Sequence, residues 1–487
     1  MGLKTLFELA KFSAEKYKDT VGFIDEDLSK TYGEFFEDVV FAANKLIKMG
    51  FKGKHITLCG VNSYGWLVGY FAASTIGTVL PLGEGIGWDE IKKLCCDVDS
   101  DFIIAGEYSE LKGTDGITVM SWRELLTDRD STPLTPPDPE DVAVFVPTSG
   151  TMGKRRICML THKSISADVN GAVATIDFSG NTVATLPFFH SFGILAGIFV
   201  CMYNGARIAI CSEIHRMYGL FAKESPRFVF LVPAIADAMK NETEKAIAKM
   251  VAGGAAKEEA EAKAYANVRN MLGGKCEFAI VGGAPLAPST EDFFEKTPVR
   301  LCSGYGLTEC SPAVCVNPPE RLKKGSVGVM LKGVEVSILE PDESGCGEIA
   351  VKGDIVMKGY YKDPESDAEV FSEHGLLTGD IGRVDEDGYV FITGRKKNTI
   401  VLSNGKNVMP EELEAKLADL PAVVEALVYD GGSVVAAKIY SLSPAECKEQ
   451  INELNASLPI YKRISHITFV DEPLPRNALK KIIRKKD

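Results

Sequence analysis

No two cysteines in this 487-residue chain are spaced as CxxC, and the twelve present are scattered. That excludes a zinc ribbon, a redox dithiol and a disulfide framework. Cys302, Cys310 and Cys315 come nearest to a cluster, at a spacing that matches no zinc site, so reduced and mostly buried thiols are expected. Positive charge is also short: 54 Lys and Arg against 67 Asp and Glu leave a formal charge of −13. A chain this acidic offers no general face for nucleic acid, and only Arg476 to Lys486 is locally basic. Long apolar runs are missing too. Phe192 to Tyr203 is the longest, below the roughly 18 residues of a membrane span. The opening MGLKTLFELAKFSAEKY has Lys and Glu inside what would be a signal-peptide core, and reads as an amphipathic helix. These absences point to a cytoplasmic protein with no integral membrane segment and no nucleic-acid partner.

What is present is enough apolar material for more than one core. Hydrophobic residues are 45% and charged residues 25%, and at roughly 150 residues per domain the length implies two domains or more. Helical and strand patterns alternate: a helix over Phe35 to Met49, a strand His55 to Cys59, a helix Trp66 to Ile76, a strand Thr78 to Leu82. Such alternation implies an α/β architecture with helices over mainly parallel sheets. A proline-rich connector, Ser131 to Glu140, precedes the apolar strand Val142 to Pro147. Further buried strands are expected at Thr182 to Leu186, Arg207 to Ile210, Phe228 to Val232 and Phe278 to Val281, with a solvated helical excursion over Asn241 to Asn270. From Gly325 to Ile392 short strands separated by Gly and Asp turns suit a small β-barrel or distorted sheet. Beyond Arg395 a small α+β domain is expected, with helices at Pro410 to Leu420 and Pro444 to Ser457. The division reads as a large domain, 1–395, and a small mobile one, 396–487.

Four segments carry residue types suited to chemistry. Thr148, Ser149, Gly150, Thr151, Gly153 and Lys154 follow a buried strand; hydroxyls, glycine amides and one ammonium on a single loop are what a polyphosphate requires. The GxxxxGK[ST] spacing is absent, so this is no Walker A loop, and such a turn is also an ordinary connector. In SGYGLTECSP, Tyr305 offers a flat face, Thr308 a hydroxyl and Glu309 a hard oxygen ligand for Mg²⁺; the same string reads as a surface loop. Asp380 and Arg395 flank a hairpin, where a carboxylate and a guanidinium can clamp sugar hydroxyls or simply cap a turn and pair on the surface. Last, Lys480 and Lys481 lie in a basic tail that would ordinarily be frayed.

In their order and spacing these segments resemble the adenylate-forming superfamily of acyl-CoA synthetases, aryl-CoA ligases, luciferases and adenylation domains. The likeness runs from TYGEF at Thr31 and NSYGW at Asn62 to the final lysines. It implies an ATP-dependent enzyme that joins a carboxylic acid to AMP, releases pyrophosphate and passes the acyl group to CoA. By that resemblance the Thr148–Lys154 loop grips the β- and γ-phosphates, and Gly283, Ala284 and Pro285 line the adenine. Tyr305 stacks on the purine, Thr308 touches the α-phosphate, Glu309 holds Mg²⁺, and Asp380 and Arg395 bind the ribose. Lys481 is the catalytic lysine, Lys397 falls at the hinge of the mobile domain, and Ser403 to Glu412 faces the thiol in a second pose.

LPFFHSFG, Leu186 to Gly193, resembles the segment beside the acyl pocket, with His190 among the catalytic candidates or else a satisfied core residue. It lacks the aspartate that amino-acid-activating relatives carry. LGGKCEFAIVGGAPL, GLTECSPAV and ITGRKKNTIVLSNGKNV look most like bacterial long-chain fatty acyl-CoA synthetases, which implies a fatty acid. Departures from the pattern are Met152 for a threonine, Arg155, Arg156 and Ile157 for Pro-Lys-Gly, with Arg156 expected to keep the charge, and Lys480 for a glycine. Two alternatives stand beside CoA ligation: delivery to an acyl carrier protein, and a degenerate relative that binds nucleotide or acyl ligand without turnover.

Overall fold

The computed structural model describes residues 2–105, 116–148, 155–402, 406–432, 434–476 and 482–484. The first helix, Leu6–Lys16, starts where the Thr5 hydroxyl accepts the Glu8 amide. The next, Tyr32–Lys48, begins with a reciprocal capping box between Thr31 and Glu34. Its Phe35, Val39, Ala43 and Leu46 fall on one stripe and are buried. Strand His55–Cys59 then pairs in parallel with Thr78–Leu82 and Phe102–Ala105, all nearly continuously apolar because helices cover both faces.

These strands are the middle of a seven-stranded sheet whose far side carries the antiparallel hairpin Val142–Thr148 and Arg156–Thr161, with Gly359–Tyr360 at its edge. A second sheet places Phe228–Leu231, Phe278–Val281 and Arg300–Gly306 in parallel and adds Ala313–Val316 and Val329–Met330 antiparallel. The turn-rich stretch forms an antiparallel sheet of Glu335–Leu339, Gly347–Lys352, Gly375–Val384, Val390–Arg395 and Phe371–Ser372, joined to the second sheet by a Val329–Tyr389 bridge. Past residue 400 a separate hydrophobic cluster forms, with Ile400, Val408, Leu413, Val428, Ile439 and Ile451 at its centre.

Most expected elements occur within a few residues of their anticipated bounds, with two differences. The excursion after Asn241 is two helices, Pro233–Ala252 and Lys257–Met271, because Gly253 and Gly254 end the first and Gly254 takes φ +95°. A strand not anticipated, His466–Val470, pairs in parallel with Val435–Tyr440, which is antiparallel to Glu425–Asp430 on its other side. Its run of five residues is too short for a period to stand out. The cysteines are free thiols, buried except Cys96 and Cys346. Among the described residues no helix is long and apolar enough to cross a membrane.

Candidate active site

The strand Val142–Thr148 leads into the glycine-rich loop and Arg156–Thr161 leads out of it. Thr148 and Arg156 face each other in register, and the Thr148 hydroxyl donates to the Arg156 carbonyl at 3.3 Å. Ser149, Gly150, Thr151, Gly153 and Lys154 lie outside the described residues. Arg156 does not turn its charge toward free space. Its guanidinium lies over the Tyr360 ring, 5.2 Å from the centroid, and pairs with Glu369. Arg156, expected to keep the charge of this segment, is thus paired with Glu369 in the structure. Arg155 pairs with Glu90.

Strand Arg300–Gly306 delivers Tyr305, after which the chain turns through a short 3₁₀ segment, Thr308–Cys310. Gly306 has to be glycine, since a Cβ there would stand 1.9 Å from the Pro312 carbonyl oxygen. Ser311 takes φ +69°, and the Leu307 amide donates back to the Pro312 carbonyl. Two long-range bonds fix this loop. The Ala313 amide donates to Asp168 Oδ2 at 2.9 Å, and the Met357 amide donates to the Glu309 carbonyl at 2.9 Å. The Glu309 side chain accepts the Tyr360 hydroxyl on Oε1 at 2.9 Å. Oε2 has no partner among the described residues, so an anionic oxygen is available to a hard cation; the donor chemistry fits Mg²⁺.

Tyr305, Asp380 and Arg395 come together as one cluster although they are far apart in sequence. The Tyr305 hydroxyl donates to Asp380 Oδ2 at 2.6 Å, and Arg395 Nε lies 2.6 Å from Oδ1. Asp380 and Arg395 are direct cross-strand partners, so the hairpin itself sets their approach. Asp380 is 3% exposed. Burial raises its pKa despite the opposing field of Arg395 and the Tyr305 bond, and burial together with Asp380 raises that of the Tyr305 phenol. A carboxylate has about four lone-pair sites, so two remain for incoming hydroxyls. Gly283, Ala284 and Pro285 follow strand Phe278–Val281 and form an exposed shelf, with nothing within 4 Å of a Cβ built on Gly283. The register Val281 to Ser303 sets that shelf level with Tyr305 on the neighbouring strand.

His190 precedes the helix Ser191–Ile194, its ring 4.3 Å from that of Phe189. Asn62 holds the approach to it: its Nδ2 donates to the Leu186 carbonyl and its Oδ1 accepts the Phe188 amide, each at 2.8 Å. Beyond His190 the helix widens into a π-turn, Leu195–Phe199, and this wall encloses an apolar cavity with Tyr70, Val146, Phe188, Phe189, Ile194 and Phe199 among its lining. Its free volume is about 10 Å³, room for about one water. Ser191 lines the cavity, and its hydroxyl is 3.5 Å from that of Thr308, which joins the chamber to the Glu309 loop.

Lys397 lies in the 3₁₀ segment Lys396–Asn398. Burial and the nearby Arg395 lower its pKa. Asn398 donates to Glu411 on the following helix. Lys481 lies outside the described residues. On either side of it Arg476 and Ile482 form an antiparallel bridge, and Arg484 donates to the Val428 carbonyl at 3.0 Å and pairs with Glu414. Tyr360, Asp168 and Asn62 were not singled out from sequence as site residues. Each acts on a segment more than fifty residues away, and no local spacing announces such a bond.

The profile of the family described as AMP-binding enzyme matches residues 11–361. A long-chain-fatty-acid–CoA ligase, FadD15, of Mycobacterium bovis is 27% identical over 473 residues, covering 85% of this chain and 77% of that protein. A 4-coumarate–CoA ligase of Oryza sativa subsp. japonica is 30% identical over 415 residues, covering 78% of this chain and 70% of the relative. Among solved structures, ATP-bound MatB from Rhodopseudomonas palustris superposes with a TM-score of 0.82 at 23% identity, over 99% of this chain and 97% of that one. At that identity the superposition establishes the fold.

Proposed function

The chain belongs to the AMP-binding enzyme family and, with acid–CoA ligases as its relatives, is an AMP-forming acid–thiol ligase; we propose that its acid is a fatty acid, activated as acyl-AMP and then passed to CoA. The observation that carries this reading is the 3.5 Å approach of Ser191 to Thr308. It brings an apolar chamber to the loop that bears Glu309, so an apolar acid in the chamber would present its carboxylate there. Predominantly hydrocarbon walls, with no charged side chain among the described lining residues, favour an alkyl or aryl acid over an amino acid or a dicarboxylate.

The carboxylate has to attack a phosphorus already surrounded by negative charge. In this reading Asp380 and Arg395 take the ribose, Tyr305 the purine face, and Gly283 to Pro285 the adenine edge. Thr308 and the Thr148–Lys154 loop take the phosphates. Glu309 would hold Mg²⁺, which offsets charge on the departing pyrophosphate. Lys481 would stand between the two reacting anions, a contribution of roughly 3–4 kcal/mol for a preorganised donor at developing charge. Residues 396–487 then act as a mobile domain turning at Lys397, closing for adenylation and reopening with the Ser403–Glu412 segment toward the thiol.

Pyrophosphate exchange with a panel of acids tests adenylation, and adding CoA or an acyl carrier protein to the productive mixture identifies the acceptor. Exchange with fatty acids followed by acyl-CoA is expected. Exchange confined to polar or amino acids would refute the substrate, and absence of acyl-AMP from every acid would refute the reading as a whole.

A further inference from the structure

The glycine-rich loop and the Glu309 loop are joined through one continuous stretch of chain. Strand Arg156–Thr161, which leads out of the glycine-rich loop, passes without a linker into helix His162–Thr175. A capping box between Thr161 and Ser164 fixes the start of that helix, and the His162 ring pins it from a second side, between the Ser74 carbonyl and the Leu6 amide. The strand holds the Glu309 loop through its edge partner. Tyr360 and Gly359 pair with Cys158 and Met159, the Met357 amide donates to the Glu309 carbonyl, and the Tyr360 hydroxyl donates to the Glu309 side chain. The helix holds the same loop through Asp168, whose Oδ2 accepts the Ala313 amide at 2.9 Å. Residues 156–175 thus grip the loop from two sides.

Asp168 is a costly side chain for that grip. It is 0% exposed, and its Oδ1 has no partner among the described residues. A side chain with a single acceptor would serve one amide without stranding a second oxygen. The loop it holds is also under constraint: Ser311 takes φ +69°, and its buried Oγ has no partner among the described residues. Neither stranded oxygen adds to stability. Such groups persist where the surroundings over-determine the position of a segment, and they gather at functional sites. The helix has little freedom to carry Asp168 elsewhere. At Gly171, about one turn further on, a Cβ would stand 3.0 Å from the Lys332 carbonyl oxygen, so helix and neighbouring chain are in close contact.

We propose that Asp168 is a positioning residue for the nucleotide end of the site: through Ala313 it fixes Glu309 relative to the strand and helix that leave the glycine-rich loop. The proposal rests on the reading above, in which Glu309 would hold Mg²⁺ and the glycine-rich loop takes the phosphates. Asp168 itself touches neither. Its loss displaces one phosphate-handling segment relative to the other, and small displacements of that kind reduce rate and metal use without altering affinity for a substrate bound elsewhere.

The test removes the acceptor in Asp168→Leu and Asp168→Ala and keeps one for Ala313 in Asp168→Asn. Calorimetric titration of ATP at a series of Mg²⁺ concentrations should show the half-saturating Mg²⁺ raised about tenfold in Leu and Ala, and within about twofold of wild type in Asn. In pyrophosphate exchange, Leu and Ala should lose about 10- to 30-fold in kcat/KM for ATP with KM for the acid unchanged. Thermal melts set a measuring temperature at which each variant is folded. An unaltered Mg²⁺ requirement in Leu or Ala, an equal loss for ATP and acid, or an Asn variant as poor as Ala overturns the assignment and leaves acid activation standing. Loss of the fold in both Leu and Ala overturns it too, since Asp168 would then serve stability. Absence of Mg²⁺-dependent ATP binding in the wild-type protein overturns the reading of the site as well.

Discussion

The phenol of Tyr360 donates to Glu309 Oε1 at 2.9 Å while Arg156 lies across the same ring. Tyr360 stands at the edge of the seven-stranded sheet and Glu309 on a loop of the second sheet, so this bond ties the two sheets together at the proposed Mg²⁺ ligand. Tyr360→Phe removes one hydrogen bond to a charged group, about 1.5–3 kcal/mol. The expected result is a 10- to 100-fold loss in pyrophosphate exchange, partly recovered at high Mg²⁺. A titration of Mg²⁺-dependent ATP binding by calorimetry should shift in the same direction. Unchanged Mg²⁺ dependence would show that Tyr360 serves packing alone.

Asp380 holds two partners at 2.6 Å inside the protein, Tyr305 and Arg395. Asp380→Asn keeps the shape but removes the charge that Arg395 faces and the strong acceptor a ribose would use. KM for ATP should rise roughly 100-fold, with a smaller change in KM for the acid. Arg395→Lys should fall between, because an ammonium cannot reproduce the planar guanidinium contact. An effect on the acid rather than the nucleotide would place the cluster in the wrong half of the site.

Asp168 is fully buried, with Oδ2 accepting the Ala313 amide and Oδ1 without a partner among the described residues. Burial raises its pKa well above the carboxylate range. The folded protein therefore keeps a proton that the unfolded chain releases near pH 4, and stability declines as pH rises above that point. Asp168→Asn removes the titration and retains an acceptor for Ala313. Its melting temperature should exceed the wild-type value at pH 8 and converge with it near pH 4. A variant less stable at pH 8 would mean the carboxyl is ionised in the fold.

His162 gives the opposite sign. Its Nε2 pairs with the Ser74 carbonyl at 2.9 Å, its Nδ1 accepts the Leu6 amide at 3.3 Å, and burial lowers its pKa to about 4. The unfolded chain takes up a proton near pH 6.5 that the folded one refuses, so stability falls as pH drops from 6.5 toward 4, by up to about 3 kcal/mol. Denaturant midpoints across that window should flatten in His162→Gln relative to wild type. An equally steep decline in both would assign the acid sensitivity elsewhere.

The strands His55–Cys59, Thr78–Leu82, Arg207–Ile210 and Phe278–Val281 were legible because buried parallel strands read as continuous apolar runs bounded by turns. Tyr305, Asp380 and Arg395 were legible as separate motifs, each with a plausible surface role of its own. Their union in one cluster was not, because a 75-residue separation between Tyr305 and Asp380 leaves no periodic trace. Tyr360 and Asp168 remained hidden for a related reason. An aromatic or a lone carboxyl on an apolar stretch has the same local pattern whether its polar atom is paired, orphaned or aimed at a site.

Arg484 anchors one side of the Lys481 segment through Val428 and Glu414, and Arg476 anchors the other through Glu425 at 2.7 Å. Seven residues separate the two guanidiniums, and Lys481 is among them. Lys481→Ala should abolish adenylation, by 10²-fold or more, while the melting temperature stays near the wild-type value. Arg484→Lys should lower pyrophosphate exchange about tenfold with little change in KM for ATP, because it loosens the tether without touching the nucleotide site. Exchange that survives in Lys481→Ala would transfer the charge-neutralising role to another cation, and the Thr148–Lys154 loop would then be the place to look.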